Sequence, residues 1–259
     1  MTEEVSIKIG EQPDDFLKRY PDKIKIQKQP AGLDFYSIDW DSMPRGVVTI
    51  DHGKHAFTLS DVMGIQTHTN VDLLSEGFYE YTIFAGITPE DLIPHAQARD
   101  KIYALLKQIE ARGWRSITSR SRPRLTGKDR LNYALNTSTS VGLDTKYIPT
   151  LEEWMKIENL TSWNFYADHQ YLTVDFQRES SLTDPEKPGA YLLSFSLKSE
   201  VEQFKGYVDS LDRERWKTLL AAEIQKLSPQ RTEREAALKA QGIPIDETYQ
   251  DPPLPAFMQ

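Results

Sequence analysis

The chain has 259 residues, a formal net charge of -8, and 39% hydrophobic and 10% aromatic residues. That composition supplies a core for one large or two small domains and excludes a disordered chain, while the acidic balance disfavours nonspecific attraction to nucleic acid or anionic membrane surfaces. No apolar run approaches the roughly 18 residues of a membrane span, and the absence of cysteine excludes disulfides, thiolate catalysis and cysteine metal sites.

The N-terminus, Met1-Thr2-Glu3-Glu4-Val5, is acidic and lacks the basic and apolar regions of a signal peptide. It fits a cytosolic protein or a mature segment whose leader has been replaced by a start Met. Residues 1–46 then read as N-terminal strands and a short helix: alternating Ile7 and Ile9, a helix over Pro13–Arg19, and strands over Lys23–Lys28 and Gly32–Trp40.

A hairpin follows over Val47–His52, Gly53-Lys54 and His55–Ser60, where glycine at the first loop position suits a type II′ turn. Its register pairs His52 with His55, Ile50 with Phe57 and Val48 with Leu59 on one face, and Thr49 with Thr58 on the other. Residues 63–69 prolong this sheet, and Glu76–Ala85 places Tyr79, Tyr81 and Ile83 on one side. Thr88-Pro89-Glu90-Asp91 has the hydroxyl, proline and acids of a helix start, with Pro94 restarting or kinking the helix. Ala98, Ile102, Leu105, Leu106 and Ile109 form its apolar stripe, and Gly113 is a left-handed stop before Trp114.

The order hairpin, strand, helix of residues 47–113 returns over 162–228. Thr150-Leu151-Glu152-Glu153 is a capping box ahead of it. The second hairpin, Trp163–Ala167, Asp168-His169 and Gln170–Phe176, puts Phe165 opposite Leu172 and Trp163 opposite Val174 on a buried face, with Tyr166 opposite Tyr171 outside. After a polar loop over 180–189, Tyr191, Leu193, Phe195 and Leu197 make one strand face. A helix over Asp209–Leu227 turns Trp216, Leu219, Leu220, Ile224 and Leu227 inward, and Ser228-Pro229 starts a last helix ending at Gly242. Pro244, Pro252, Pro253 and Pro255 then make the tail an extended arm. The fold class is α+β, with two related halves over 47–118 and 128–241, each an antiparallel sheet packed on a long amphipathic helix, and a proline-rich tail over 242–259. The boundary between halves lies near residues 119–127.

No nucleophile elbow, phosphate loop, zinc spacing or dinucleotide fingerprint is present. Gly127-Lys128 is not a phosphate loop, because Arg122 stands where its first glycine belongs and Asp129 follows the lysine. His52 and His55, with Asp51, Asp61 and His68 nearby, read as a metal cluster or as the polar rim of a sheet face; no third ligand is fixed by spacing. Asp168-His169 reads as a turn, since neighbouring residues there point in different directions. Residues 112–130 are the most anomalous stretch: Arg112, Arg115, Arg120, Arg122, Arg124, Lys128 and Arg130 against Asp129 give a net of +6 within a chain of -8. It is a solvated loop paired with the chain's own acids, a contact for an acidic partner, or a phosphate or nucleic-acid contact, although few aromatics interleave as single-strand binding requires. In the second reading Arg120, Arg122 and Arg124 rim an interface anchored by Tyr166 and Tyr171.

The stretch from Gly77 to Trp114, with its aromatic strand Glu76-Gly77-Phe78-Tyr79-Glu80-Tyr81, capped helix and terminal Gly113-Trp114, resembles the immunity proteins of bacterial type VI secretion effectors. The resemblance covers the layout of about forty residues, short of a diagnostic motif. It implies a periplasmic, non-enzymatic inhibitor that binds a cognate toxin, often a lipase or peptidoglycan hydrolase, and covers its active site, with no cofactor, metal or nucleic acid. The missing signal peptide departs from that pattern and keeps a cytoplasmic location open. Two other classes stand beside it: a hydrolase with a site assembled from dispersed residues such as Asp51, His52 and His55, and a ligand-binding or scaffold protein of the envelope.

Overall fold

Strands with one apolar row each need a common partner for those rows, and here they share one sheet. The computed structural model describes residues 4–30, 32–137 and 141–258, without the side chains of 71–73; Met1–Glu3 of the N-terminal reading lie outside it. In chain order the elements are β1 (Glu4–Ile7), α1 (Pro13–Arg19), β2 (Lys25–Lys28), β3 (Leu33–Asp39), β4 (Gly46–Ile50), β5 (Phe57–Asn70), β6 (Glu80–Ala85), the two-residue β7 (Ile93–Pro94) and α2 (His95–Ala111). Then come β8 (Arg115–Ile117), α3 (Gly127–Thr137), α4 (Leu151–Lys156), β9 (Ser162–Ala167), β10 (Gln170–Arg178), β11 (Pro188–Gly189), β12 (Tyr191–Ser199), α5 (Glu200–Lys205) and α6 (Trp216–Ala240).

The protein is α+β. Ten strands form one mixed sheet in the order β1-β4-β5-β6-β12-β10-β9-β8, with β3 and then β2 branching from β5. The first pair, β1 with β4, is parallel. The long β5 makes the branch possible: Asp61 takes φ 55° and the register shifts between Val62 and Gly64. Its first part pairs with β4 and its second with β3, while β6 lies along its other edge. The strands of 47–113 and 162–228 therefore do not divide into two sheets. They join through the β6–β12 ladder, and their helices lie on opposite faces. Phe165 and Leu172 belong to the core shared with Ile102, Leu106 and Ile109 of α2, whereas their chain neighbours Tyr166 and Tyr171 pack with Phe204 of α5 and Trp216 and Leu220 of α6.

Local pairing follows the alternation closely. Ile50 faces Phe57, Val48 faces Leu59, and Thr49 Oγ1 lies 2.8 Å from Thr58 Oγ1. The second hairpin has Phe165 opposite Leu172 and Tyr166 opposite Tyr171 around a two-residue turn, Asp168 and His169 at φ 38° and 66°. Thr150 and Glu153 close the expected capping box.

Four expectations are corrected. The first hairpin closes through a 3-10 turn at Gly53–His55 instead of a two-residue turn, because His52 and His55 leave the ladder to bond backbone carbonyls elsewhere. The helix begins at His95 and not at Thr88. The residue before a proline is pushed away from helical geometry, and Ile93–Pro94 pairs with Pro188–Gly189 instead. Pro229 does not start a new helix: α6 runs through it, with Pro229 at an exposed position. The tail is extended but not an arm. Pro252 and Pro255 are buried, Leu254 and Met258 pack on the second cluster, and Tyr249 Oη accepts from the Thr118 amide at 3.0 Å. Helix α3 was not anticipated, and Tyr79 stands outside the Tyr81–Ile83 row, edge-on to His68.

Candidate functional site

The apolar rows of β10 and β12 end in a pair of polar residues. Leu172, Val174 and Phe176 are followed on the same face by Arg178, and Leu197, Phe195 and Leu193 by Tyr191, which the register sets directly opposite Arg178. Helix α4 supplies Trp154 and the first residue of α2 supplies His95. The four side chains meet at Tyr191 Oη. It accepts from Trp154 Nε1 at 3.1 Å and from Arg178 Nε at 3.1 Å, and it lies 2.5 Å from His95 Nδ1. With two donors already on its oxygen, the phenol's own proton is directed at His95 Nδ1. His95 is buried beneath Gly189, where a Cβ would enter the imidazole ring. Burial, with the Arg178 charge, holds His95 below the usual histidine range, against the opposing Asp184 backbone and carboxylate.

Arg178 is 7% exposed. Its Nη1 donates to the Met155 carbonyl at 3.3 Å and its Nη2 to the Trp154 carbonyl at 2.9 Å. The rings of Trp154, Phe176 and Tyr191 surround the guanidinium at 5.6 to 5.7 Å.

Arg178 and Tyr191 line a cleft of about 450 Å³. Its other walls are Arg45, Met63 at the β5 irregularity, Gly86 and Ile87 after β6, and Glu90, Asp91 and Ile93 of the segment before α2. Arg45 Nη2 donates to Asp91 at 2.9 Å, tying the 41–45 and 86–94 loops together over the cleft. Gly86 permits this approach, since a Cβ there would meet the Arg45 guanidinium. Met43 and Leu92, close to the bridge in sequence, are 56% and 52% exposed, and Met63 of the cleft wall is 38% exposed.

The residues singled out from sequence have other employment. Tyr166 and Tyr171 are 9% and 7% exposed, stacked edge-on at 5.1 Å beneath α5 and α6, so the expectation that they face outward is corrected. The sheet has helices on both faces, which a hairpin's own alternation does not reveal. Arg120 donates to the Pro252 carbonyl and lies 3.7 Å from Asp251. Arg124 grips Glu235 through Nε and Nη2 at 2.8 and 2.7 Å. Arg122 is also engaged, and its carbonyl accepts from Arg231 Nε at 2.9 Å. Arg115 donates to the Gln250 carbonyl, Arg130 to those of Gly142 and Ile117, and Lys128 pairs with Glu153. The basic segment thus fastens the tail and α6 to the sheet.

His52 Nε2 meets the Ala167 carbonyl at 3.0 Å and His55 Nδ1 the Arg112 carbonyl at 2.7 Å, with the two rings 5.4 Å apart. Among the described residues no group of three or more His, Asp or Glu side chains is placed to hold a metal ion. His169 pairs with Glu200 at 2.9 Å, which raises its pKa, while Asp168 is simply the other turn residue.

Sequence reasoning missed Arg45, Arg178, Tyr191 and His95 as a group. One signal was available: His95 lies three residues before Ala98 on the stripe of α2, a polar residue on an apolar face. Comparison with known proteins found no matching family, no matching curated protein and no matching solved structure.

Proposed function

We propose that this protein is a non-enzymatic immunity protein that binds and occludes a cognate effector toxin, with the cleft between the 41–45 and 86–94 loops as its contact face. The observation that carries the reading is the rim. Met63 is exposed in the wall of a cleft of about 450 Å³, and exposed Met43 and Leu92 lie within two residues of the Arg45–Asp91 bridge that closes over it. Interface cores are enriched in Met and Arg, and anchors dock into pockets ringed by lesser contacts. A periplasmic setting belongs to the same proposal. Among the described residues no helix is long and apolar enough to cross a membrane.

Co-purification from the native host tests it, followed by binding assays on Met63→Asp and Leu92→Asp. Both side chains are exposed, so folding should be unaltered while each change weakens the complex by about tenfold or more, the scale of a hot-spot loss. A complex indifferent to both changes moves the contact face elsewhere. Absence of any stoichiometric protein partner removes the reading.

A further inference from the structure

We propose that Arg178 is the receptor for a carboxylate, and that the cleft takes an aspartate or glutamate side chain presented by the partner. This rests on the partner-binding reading above and names the chemistry it requires. A guanidinium has five N–H donors. Arg178 uses its donors on one phenol oxygen and two backbone carbonyls, all neutral. Among the described residues no carboxylate lies within ion-pair distance of it. Arg45, Arg124 and Arg120 each have an acid, and Arg130, also buried on carbonyls alone, has the charge of Asp144 near it. A buried, unpaired cation is strongly disfavoured unless an anion completes it.

Among the described residues, the acids that line the cleft make no ion pair with Arg178. Glu179, the next residue, accepts from the Ser181 amide and hydroxyl at 3.2 and 3.0 Å, which holds its pKa below the usual range. Asp91 is on Arg45. With Glu90 they place three acids in the cleft wall against its two arginines. Negative charge there penalises a phosphate dianion more than a carboxylate monoanion. The count of remaining donors agrees. Aromatic rings surround the guanidinium, and two N–H groups remain after the three bonds are counted, one on Nη1 and one on Nη2. A planar two-oxygen acceptor matches such a pair, the usual basis of arginine–carboxylate recognition.

The test uses the full chain without its partner. Sodium acetate is titrated at constant ionic strength, with sodium chloride and sodium phosphate in parallel, and the Arg178 Nε–H and the amides of Ile87 and Tyr191 are followed by NMR. Saturable shifts with acetate, about tenfold weaker or absent in Arg178→Gln, are expected from the loss of a charge-assisted contact. Should Arg178→Gln fail to fold, Arg178→Lys keeps the charge, loses the paired donors, and should show the same weakening. Acetate shifts no different from chloride, tighter binding of phosphate, or an undiminished response in the folded variant would overturn the assignment. Failure of the two readings is separable. Acetate binding without any protein partner leaves the carboxylate site and removes the inhibitor. A partner that binds Arg178→Lys as tightly as the native chain does the reverse.

Discussion

Breaking the pair between Arg124 and Glu235 measures whether the basic segment is spent inside the molecule. Glu235 accepts from the Arg124 amide at 3.0 Å, from Nε at 2.8 Å and from Nη2 at 2.7 Å, with side-chain exposures of 24% for the arginine and 8% for the glutamate. These bonds to Arg124 are the leading reason that Glu235 titrates below its usual range, against its burial. Removing one partner of a fully buried pair costs about 3–5 kcal/mol. Arg124 retains some solvent, so Arg124→Met or Glu235→Leu should each cost about 2–3 kcal/mol, within the range of a lost hydrogen bond to a charged group. At roughly 2–4 °C per kcal/mol for chains of 150–250 residues, the melting temperature should fall by roughly 4–12 °C. Urea melts of both single variants and the double variant then give the coupling energy, expected near 1.5–3 kcal/mol at low salt and largely retained at high salt, as screening is weak for buried pairs. A coupling below about 0.5 kcal/mol, or one abolished by salt, would class the pair as an exposed ion pair. It would return Arg120, Arg122 and Arg124 to the surface available for a partner.

Two further predictions follow from burial and titration. Leu106 and Leu220 are both fully buried, in the main core and the second cluster respectively, so truncation to Ala should cost about 2–5 kcal/mol at each. Leu220 should fall at the lower end, because half-buried neighbours such as Leu219 and Ile224 can relax into the space; a denaturant melt changed by less than about 1 kcal/mol would misplace the helix face. Glu153 is held at about 2, from an ordinary 4.5, chiefly by the Thr150 amide, then by Lys128 and Tyr147, against its desolvation. The folded pKa is the lower one, so its contribution is present above about pH 4.5 and is lost as pH falls toward 2. Glu153→Gln should therefore flatten that part of the acid limb in pH-dependent thermal melts, and an unchanged limb would refute the assignment.

What the sequence made legible was whatever a short period decides. The Val48–Leu59 and Phe165–Leu172 pairs, the turn at Asp168-His169 and the stripe of α2 depend on neighbours within a few residues. What it hid depends on distant segments. Tyr166 and Tyr171 are outside with respect to their own hairpin and inside once α6 arrives from fifty residues downstream. The proline tail lacks periodicity, yet Arg115, Arg120 and Arg231 each bond residues 250–252. Helix α3 was obscured because its buried face includes Arg130, whose donors reach Gly142 and Ile117. The cleft was least legible of all. Arg178 and Tyr191 become neighbours only when β12 is laid against β10, and Arg45 joins their cleft from a loop that pairs with distant Asp91.

The charge anomaly of the sequence and the cleft of the structure bear on each other. A stretch of +6 on an otherwise acidic chain invites the reading of a basic docking patch. Glu235, Asp251 and Glu153 offset three of those charges, and backbone carbonyls hold Arg115 and Arg130 within the chain. A partner seeking that charge would have to displace the tail and α6, and with them the packing around Trp216 and Leu220. Arg178, like Arg130, is buried against neutral acceptors. Its position is fixed by the Tyr191 and Trp154 contacts, and it lies in the wall of the cleft between the 41–45 and 86–94 loops. Charge density along the sequence therefore points to the segment that holds the fold together. The unpaired charge, visible only after tertiary contacts are drawn, points to the place where another molecule has something to add.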